Sequence, residues 1–205
     1  MLLIYSLKTT QRITYIFKHI CFRILGIEVN FTNVIEDFIA YSGPKLSYGK
    51  KELGDELFIQ STELLMQDGF ESIDITVKDW GETKCFFAVG KNSSLPFDIF
   101  AASFYLLSRY EEYLPQVKDE KGRFLASESI AFKAEFLQDP VVDIWAYKFK
   151  DLVLQTFPDI KYCARKPCVH TIINASQPLL YKNKGLLRTL IGFLNDLFSF
   201  NLKSI

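Results

Sequence analysis

The sequence predicts an α/β fold: residues 1–165 form a domain with a mixed β-sheet and about three packed helices, and residues 166–205 form a shorter strand-and-helix piece. Three observations lead there. A short apolar run, LLIYS, is followed by a helical repeat and then by the alternating segment IEVNF. Two further alternating segments meet at Gly81-Glu82 in the manner of a hairpin. Two strongly apolar helical patterns open at Asp98 and at Asp139-Pro140, each with a capping signal.

Taken in order, LLIYS predicts a buried strand, and Thr9 or Thr10 caps a helix whose Ile13, Ile16, Phe17, Ile20 and Ile24 recur at helical spacing up to Gly26. In IEVNF, Ile27, Val29 and Phe31 alternate with Glu28 and Asn30, so a strand follows, placed to lie parallel to the first after a crossover. NVIEDFIAYSG predicts a short helix with Thr32 or Asn33 as its cap and Gly43-Pro44 as its stop. Lys45 to Gly54 is polar and predicts turns. ELFIQS, SIDITVKDW and TKCFFAVG then predict three strands that join the first two in a mixed sheet.

In LPFDIFAASFYLLSRYEEYLP, Pro96 and Asp98 mark the start of a helix of roughly five turns. Ile99, Ala102, Leu106, Tyr110 and Tyr113 share one of its faces, with Phe100, Phe104 and Leu107 beside them, so most of the helix is expected to be enclosed. Arg109 and Glu112, three apart near its end, can pair in water. A polar loop, KDEKGRF, and a segment of mixed character, SESIAFKAEFLQ, lead to the Asp139-Pro140 start, after which Val142, Trp145, Phe149, Leu152 and Val153 form an apolar stripe up to Pro158. RKP at 165–167 divides the two regions, CVHTII predicts a strand, and GLLRTLIGFLNDLFSFNLKSI predicts an amphipathic helix with an uncovered apolar face.

Composition narrows the function classes. The 24 basic and 24 acidic side chains cancel, so no net field draws the chain to nucleic acid or anionic lipid. No apolar stretch reaches the roughly 20 residues that span a bilayer, and the first residues lack the pattern of a signal peptide, so a soluble, cytoplasmic protein without a transmembrane segment is expected. The four cysteines are expected as reduced thiols. Cys163 and Cys168 have no second pair to complete a zinc site.

Chemistry-bearing residues are few. His19 and His170 are the only histidines, and neither a G-x-S-x-G elbow nor a glycine-rich phosphate loop is present. No catalytic residue, metal ligand or cofactor is assigned. The candidate polar cluster is Asp98, Arg109, Glu112 and Asp143; an undetected enzyme site would bring all four around one pocket. Tyr110, Tyr113 and Trp145 are candidate aromatics for a sugar ring, against the expectation that helical spacing buries them.

LPFDIFAASFYLLSRYEEYLP, KDEKGRF and PVVDIWAYKFKDLV, together with LLIYS, YSGPKLSY, GDELFIQS and YKNKGLLRTL, occur in an order that resembles the N-terminal region of Bacteroidetes polysaccharide deacetylase-family proteins. The resemblance implies that residues 1–165 match a domain of uncharacterised function preceding a metal-dependent (β/α) barrel, and that 166–205 are the degenerate start of that barrel. Where the family carries two aspartates, as base and as metal ligand, this chain has Ile173 and Ala175, and the family's pair of metal-binding histidines has no counterpart. Without those ligands no metal-activated water is available. The resemblance therefore implies a noncatalytic accessory domain, truncated and inactive alone, serving carbohydrate or a separate catalytic polypeptide. Two alternatives are a module that docks a protein through its C-terminal helix and, as in the full-length family, a metal-dependent carbohydrate deacetylase.

Overall fold

A computed structural model describes residues 1–164, 169–174 and 185–198. The chain divides into two compact units, Met1–Arg165 and Lys166–Ile205. In the first unit, β1 (Leu2–Tyr5), β2 (Val29–Thr32), β3 (Lys45–Gly49) and β4 (Leu57–Gln60) form a sheet in the order β2-β1-β3-β4. All its neighbours are parallel, with Leu2 opposite Val29, Leu3 opposite Lys45 and Leu46 opposite Leu57. A parallel sheet is covered on both faces, and Leu2, Ile4, Leu46, Tyr48, Leu57 and Ile59 are accordingly buried. The α/β class is as expected, but β5 (Lys78–Trp80) and β6 (Thr83–Cys85) pair only with each other, as an antiparallel hairpin around Gly81.

α1 (Gln11–Phe17) starts at Thr10, whose hydroxyl accepts from Ile13 N at 3.1 Å, and buries Ile13, Ile16 and Phe17. It widens into a π-helical stretch over Lys18–Ile24, which keeps Ile20 and Cys21 inside. Gly26 ends it in the left-handed region at φ +70°, against the backbone of Cys163. α2 (Ile35–Ala40) has no side-chain cap, although the Thr32 hydroxyl accepts from Val34 N just before it.

α3 (Ile99–Leu107) and α5 (Val141–Thr156) complete the core with α1. Phe17 stacks on Phe100 at 3.6 Å between ring centres, and Phe149 meets Phe100 edge-on at 5.3 Å. Trp145 lies among Phe86 and Phe97, its indole donating to Lys84 O at 2.9 Å. Between the two helices lie a 3₁₀ turn (Tyr110–Tyr113), a second one (Ala126–Glu128) and the single-turn α4 (Ile130–Lys133).

Four expectations are corrected. The polar segment after Pro44 contains β3, a sheet strand between β1 and β4, because Ser47 and Tyr48 find hydroxyl partners in Glu56 and Asp98 and can be buried. The long helix from Asp98 is broken at Arg109. Pro140, rather than the Asp139 side chain, occupies the cap position of α5. In the second unit, Val169–Asn174 form no strand and are exposed, whereas α6 (Leu186–Phe198) is helical as predicted, with Leu187, Leu190 and Ile191 exposed. Cys168, Ala175 and the Lys182–Lys184 segment lie outside the described residues. No helix among the described residues is long and apolar enough to cross a membrane.

Parallel sheets commonly bind ligands at the carboxyl ends of strands where the chain switches direction, here between β1 and β3. That crevice is filled. The segment after β4 crosses it, with Thr10 donating to Leu65 O at 2.7 Å, Arg12 donating to Leu64 O at 2.8 Å, and Leu64 and Leu65 both buried.

Gly26→Ala tests the closure of α1. The new Cβ would overlap the Cys163 carbonyl oxygen, on top of a left-handed cost of roughly 1–2 kcal/mol. Urea unfolding should show a loss of at least about 2 kcal/mol; an unchanged midpoint would contradict this packing.

Candidate functional site

Asp98 belongs to the core. Its carboxylate caps α3 by accepting from Ala101 N at 3.0 Å, and it also accepts from Tyr48 Oη at 2.8 Å, Thr62 N at 2.7 Å and Thr62 Oγ1 at 2.9 Å. Burial raises its pKa, and these four donors only partly oppose that shift. The same burial, with the Asp98 charge adding to it, pushes the Tyr48 phenol up.

The other three residues of the predicted polar cluster come together. α3 stops at Ser108, whose hydroxyl donates to Phe104 O at 2.7 Å, and Arg109 turns left-handed at φ +53° in the place usually taken by glycine. That kink turns the chain into the Tyr110–Tyr113 turn, and Arg109 pairs with Glu112 across it. Glu111 accepts from Ile130 N at 2.9 Å, which holds α4 against the turn. Ser129 caps α4 by accepting from Phe132 N at 3.1 Å, and Glu135, at φ +60°, ends it. Asp139 and Asp143 come from the start of α5.

These pieces surround an open cavity of about 430 Å³. Arg109, Glu111 and Glu112 line it from one segment and Asp139 and Asp143 from another, with Leu106, Phe136 and Val141 supplying apolar lining. Burial raises the Glu111 pKa, with the Ile130 N–H opposing it and Glu112 adding to it. The Ser129 hydroxyl is engaged as a cap and donates to Ala126 O at 2.8 Å, so it is not presented as a nucleophile. Among the described residues, no three of His, Cys, Asp and Glu are placed to hold a metal ion. The cavity thus offers several oxygen acceptors, one guanidinium and an apolar surface, a combination suited to holding a polar ligand with nonpolar faces.

The aromatic candidates divide. Trp145 and Tyr110 are wholly enclosed; Tyr110 is fixed by its hydroxyl, which accepts from Glu71 N at 2.8 Å, so neither ring face can meet a sugar. Tyr113 is 63% exposed and stacks on Phe70 at 4.5 Å. Glu111 and Phe124 are not among the candidates that the sequence singles out. Both line the cavity; Glu111 stands at the charged end of α3, whereas Phe124 lies in the polar KDEKGRF loop with no local signal.

A family model described as a family of unknown function (DUF7033) matches residues 2–158, and the chain belongs to that family. No curated protein and no solved structure matches the chain.

Asp98→Ala would strand four donors, two of them buried and the two of Thr62 partly buried, and at about 1–3 kcal/mol for each unsatisfied buried group the expected loss is at least about 3 kcal/mol by urea unfolding. Asp98→Asn should lose less and should expose the pH linkage. Because the folded-state pKa is raised, the folded protein keeps a proton that the unfolded chain releases, so the Asp98 contribution is present at low pH and declines as pH rises through the folded pKa. Wild-type stability relative to Asp98→Asn should therefore fall as the pH rises above the ordinary aspartate range, from about pH 4 upward; a rise there would contradict the assignment.

Proposed function

We propose that residues 1–165 of this family member act as a noncatalytic accessory domain of a polysaccharide deacetylase-type protein, and that the cleft between the Tyr110–Tyr113 turn and the start of α5 holds carbohydrate. The carrying observation is the make-up of that cleft: Arg109, Glu112 and Asp143, from segments far apart in sequence, line one cavity together with apolar Leu106 and Phe136. A sugar offers hydroxyls to carboxylates and a guanidinium, and its C–H faces to apolar side chains. Interactions of that kind need no activated nucleophile. The order of phrases that resembles the deacetylase family supplies the link to polysaccharide, and Ile173 and Ala175 stand where that family has its aspartates.

A second reading, docking of a separate polypeptide through α6, is favoured by the exposure of Leu187, Leu190, Ile191 and Leu194. Replacing Leu190 and Leu194 with glutamate should abolish any self-association or partner capture that this face causes, as read by analytical ultracentrifugation.

An array of immobilised oligosaccharides tests the carbohydrate reading. Binding is expected to at least one glycan class, and Glu112→Gln and Asp143→Asn are each expected to weaken it roughly tenfold through loss of a charge-assisted hydrogen bond. Absence of binding to every glycan would overturn the reading. Acetylated oligosaccharides incubated with the protein and added zinc should release no acetate; metal-dependent turnover would overturn the noncatalytic assignment.

A further inference from the structure

The cavity does not stand alone. A second one, of about 670 Å³, shares Arg109, Glu112, Phe124 and Ala126 with it and continues along the Lys118–Phe124 loop. A third, of about 570 Å³, shares Glu111 with the first, Gln116 with the second and Phe124 with both. Phe124 is therefore the one residue common to all three, and it sits where they meet. Its position is held by the backbone: Phe124 forms an antiparallel bridge with Lys118, Asp119 N donates to Arg123 O at 2.9 Å, and the Asp119 carboxylate accepts from Arg123 N at 2.8 Å. The loop that carries the ring is thus pre-formed by its own hydrogen bonds.

Resting on the carbohydrate reading above, we propose that the three cavities form one trough for an extended oligosaccharide of several units, with the half-buried Phe124 ring as the contact the chain crosses in passing from one cavity to the next. A single cavity of about 430 Å³ already lies within the range that encloses one small ligand, so three adjoining cavities of that order imply a longer one. The lining changes along the trough: Asp139 and Asp143 stand at one end, Lys118 and Arg123 at another, and the Arg109–Glu112 pair on the shared wall. A chain of repeating hydroxylated rings meets a hydrogen-bonding group at each of these places, whereas a lone ring reaches only one of them. Phe124 supplies an apolar face between them, the role aromatic rings serve where one side of a ligand is nonpolar.

Isothermal titration with the di-, tetra- and hexasaccharides of N-acetylglucosamine tests this on the whole chain, using wild type and Phe124→Leu, which keeps apolar bulk but removes the aromatic face. The expected result is an affinity at least about tenfold higher for the hexasaccharide than for the disaccharide, and a loss of about tenfold for the hexasaccharide but under about twofold for the disaccharide in Phe124→Leu. Arg123→Ala, on a solvent-exposed side chain that lines only the second cavity, should likewise weaken the hexasaccharide and spare the disaccharide. Equal affinity at every length, or equal loss at every length in Phe124→Leu, would overturn the extended trough while leaving a carbohydrate site in place. Binding at no length would overturn the carbohydrate reading for this sugar class and the trough with it.

Discussion

The fold depends on the buried carboxylate of Asp98. It joins three segments that are far apart in sequence: β3 through Tyr48, the segment after β4 through Thr62, and the first turn of α3 through Ala101. A carboxylate at zero exposure is tolerable only when its oxygens are occupied, and here four donors reach them. Two of the donors are backbone N–H groups outside the regular ladders, Ala101 N in the first turn of α3 and Thr62 N just after β4, and the other two are the Tyr48 and Thr62 hydroxyls. The arrangement therefore fixes where α3 starts and which part of the chain follows β4 across the sheet.

Both consequences bear on where a ligand can go. With Thr62 held by Asp98, the following residues lie over the carboxyl ends of β1 and β3, where Leu64 and Leu65 are buried and Thr10 and Arg12 bind their carbonyls. The crevice that comparable sheets leave open is filled by chain. With the start of α3 fixed, its nine residues carry Ser108 and Arg109 to the place where the Tyr110–Tyr113 turn, α4 and the head of α5 meet. The cleft is thus built from helix ends rather than strand ends, and its polar groups are those that helix ends bring with them.

This division explains what the sequence revealed. Strands β1, β2 and β4, helices α1, α5 and α6 and the start of α3 carry their signals locally, as apolar periodicity, capping residues or proline. β3 does not, because the burial of Ser47 and Tyr48 depends on Glu56 and Asp98, and the Asp98 contact spans fifty residues. Nor does the break in the long helix, since it falls on an arginine instead of a glycine. Arg109, Glu112 and Asp143 were legible as candidates because they are charged residues at the ends of apolar helices. Asp98 bears the same local marks, and only the tertiary partners around it separate a core carboxylate from one in a cleft. Phe124 had no signal at all, because an aromatic in a polar loop gains meaning only from the cavities around it.

Arg109 shows how local preference and site geometry can oppose each other. At φ +53° a glycine would relieve a left-handed cost of roughly 1–2 kcal/mol, and backbone hydrogen bonding does not require a side chain there. The pair with Glu112 is a weak counterweight, since the arginine side chain is 70% exposed and surface pairs contribute about 0–1 kcal/mol. The fold alone therefore favours glycine at this position. What arginine supplies and glycine cannot is a guanidinium on the wall shared by two adjoining cavities, held in place from one side by Glu112. On the carbohydrate reading proposed above, the left-handed backbone at Arg109 carries a charged group into the proposed binding cleft, which makes Arg109 the residue where that reading and the local backbone preference separate most clearly.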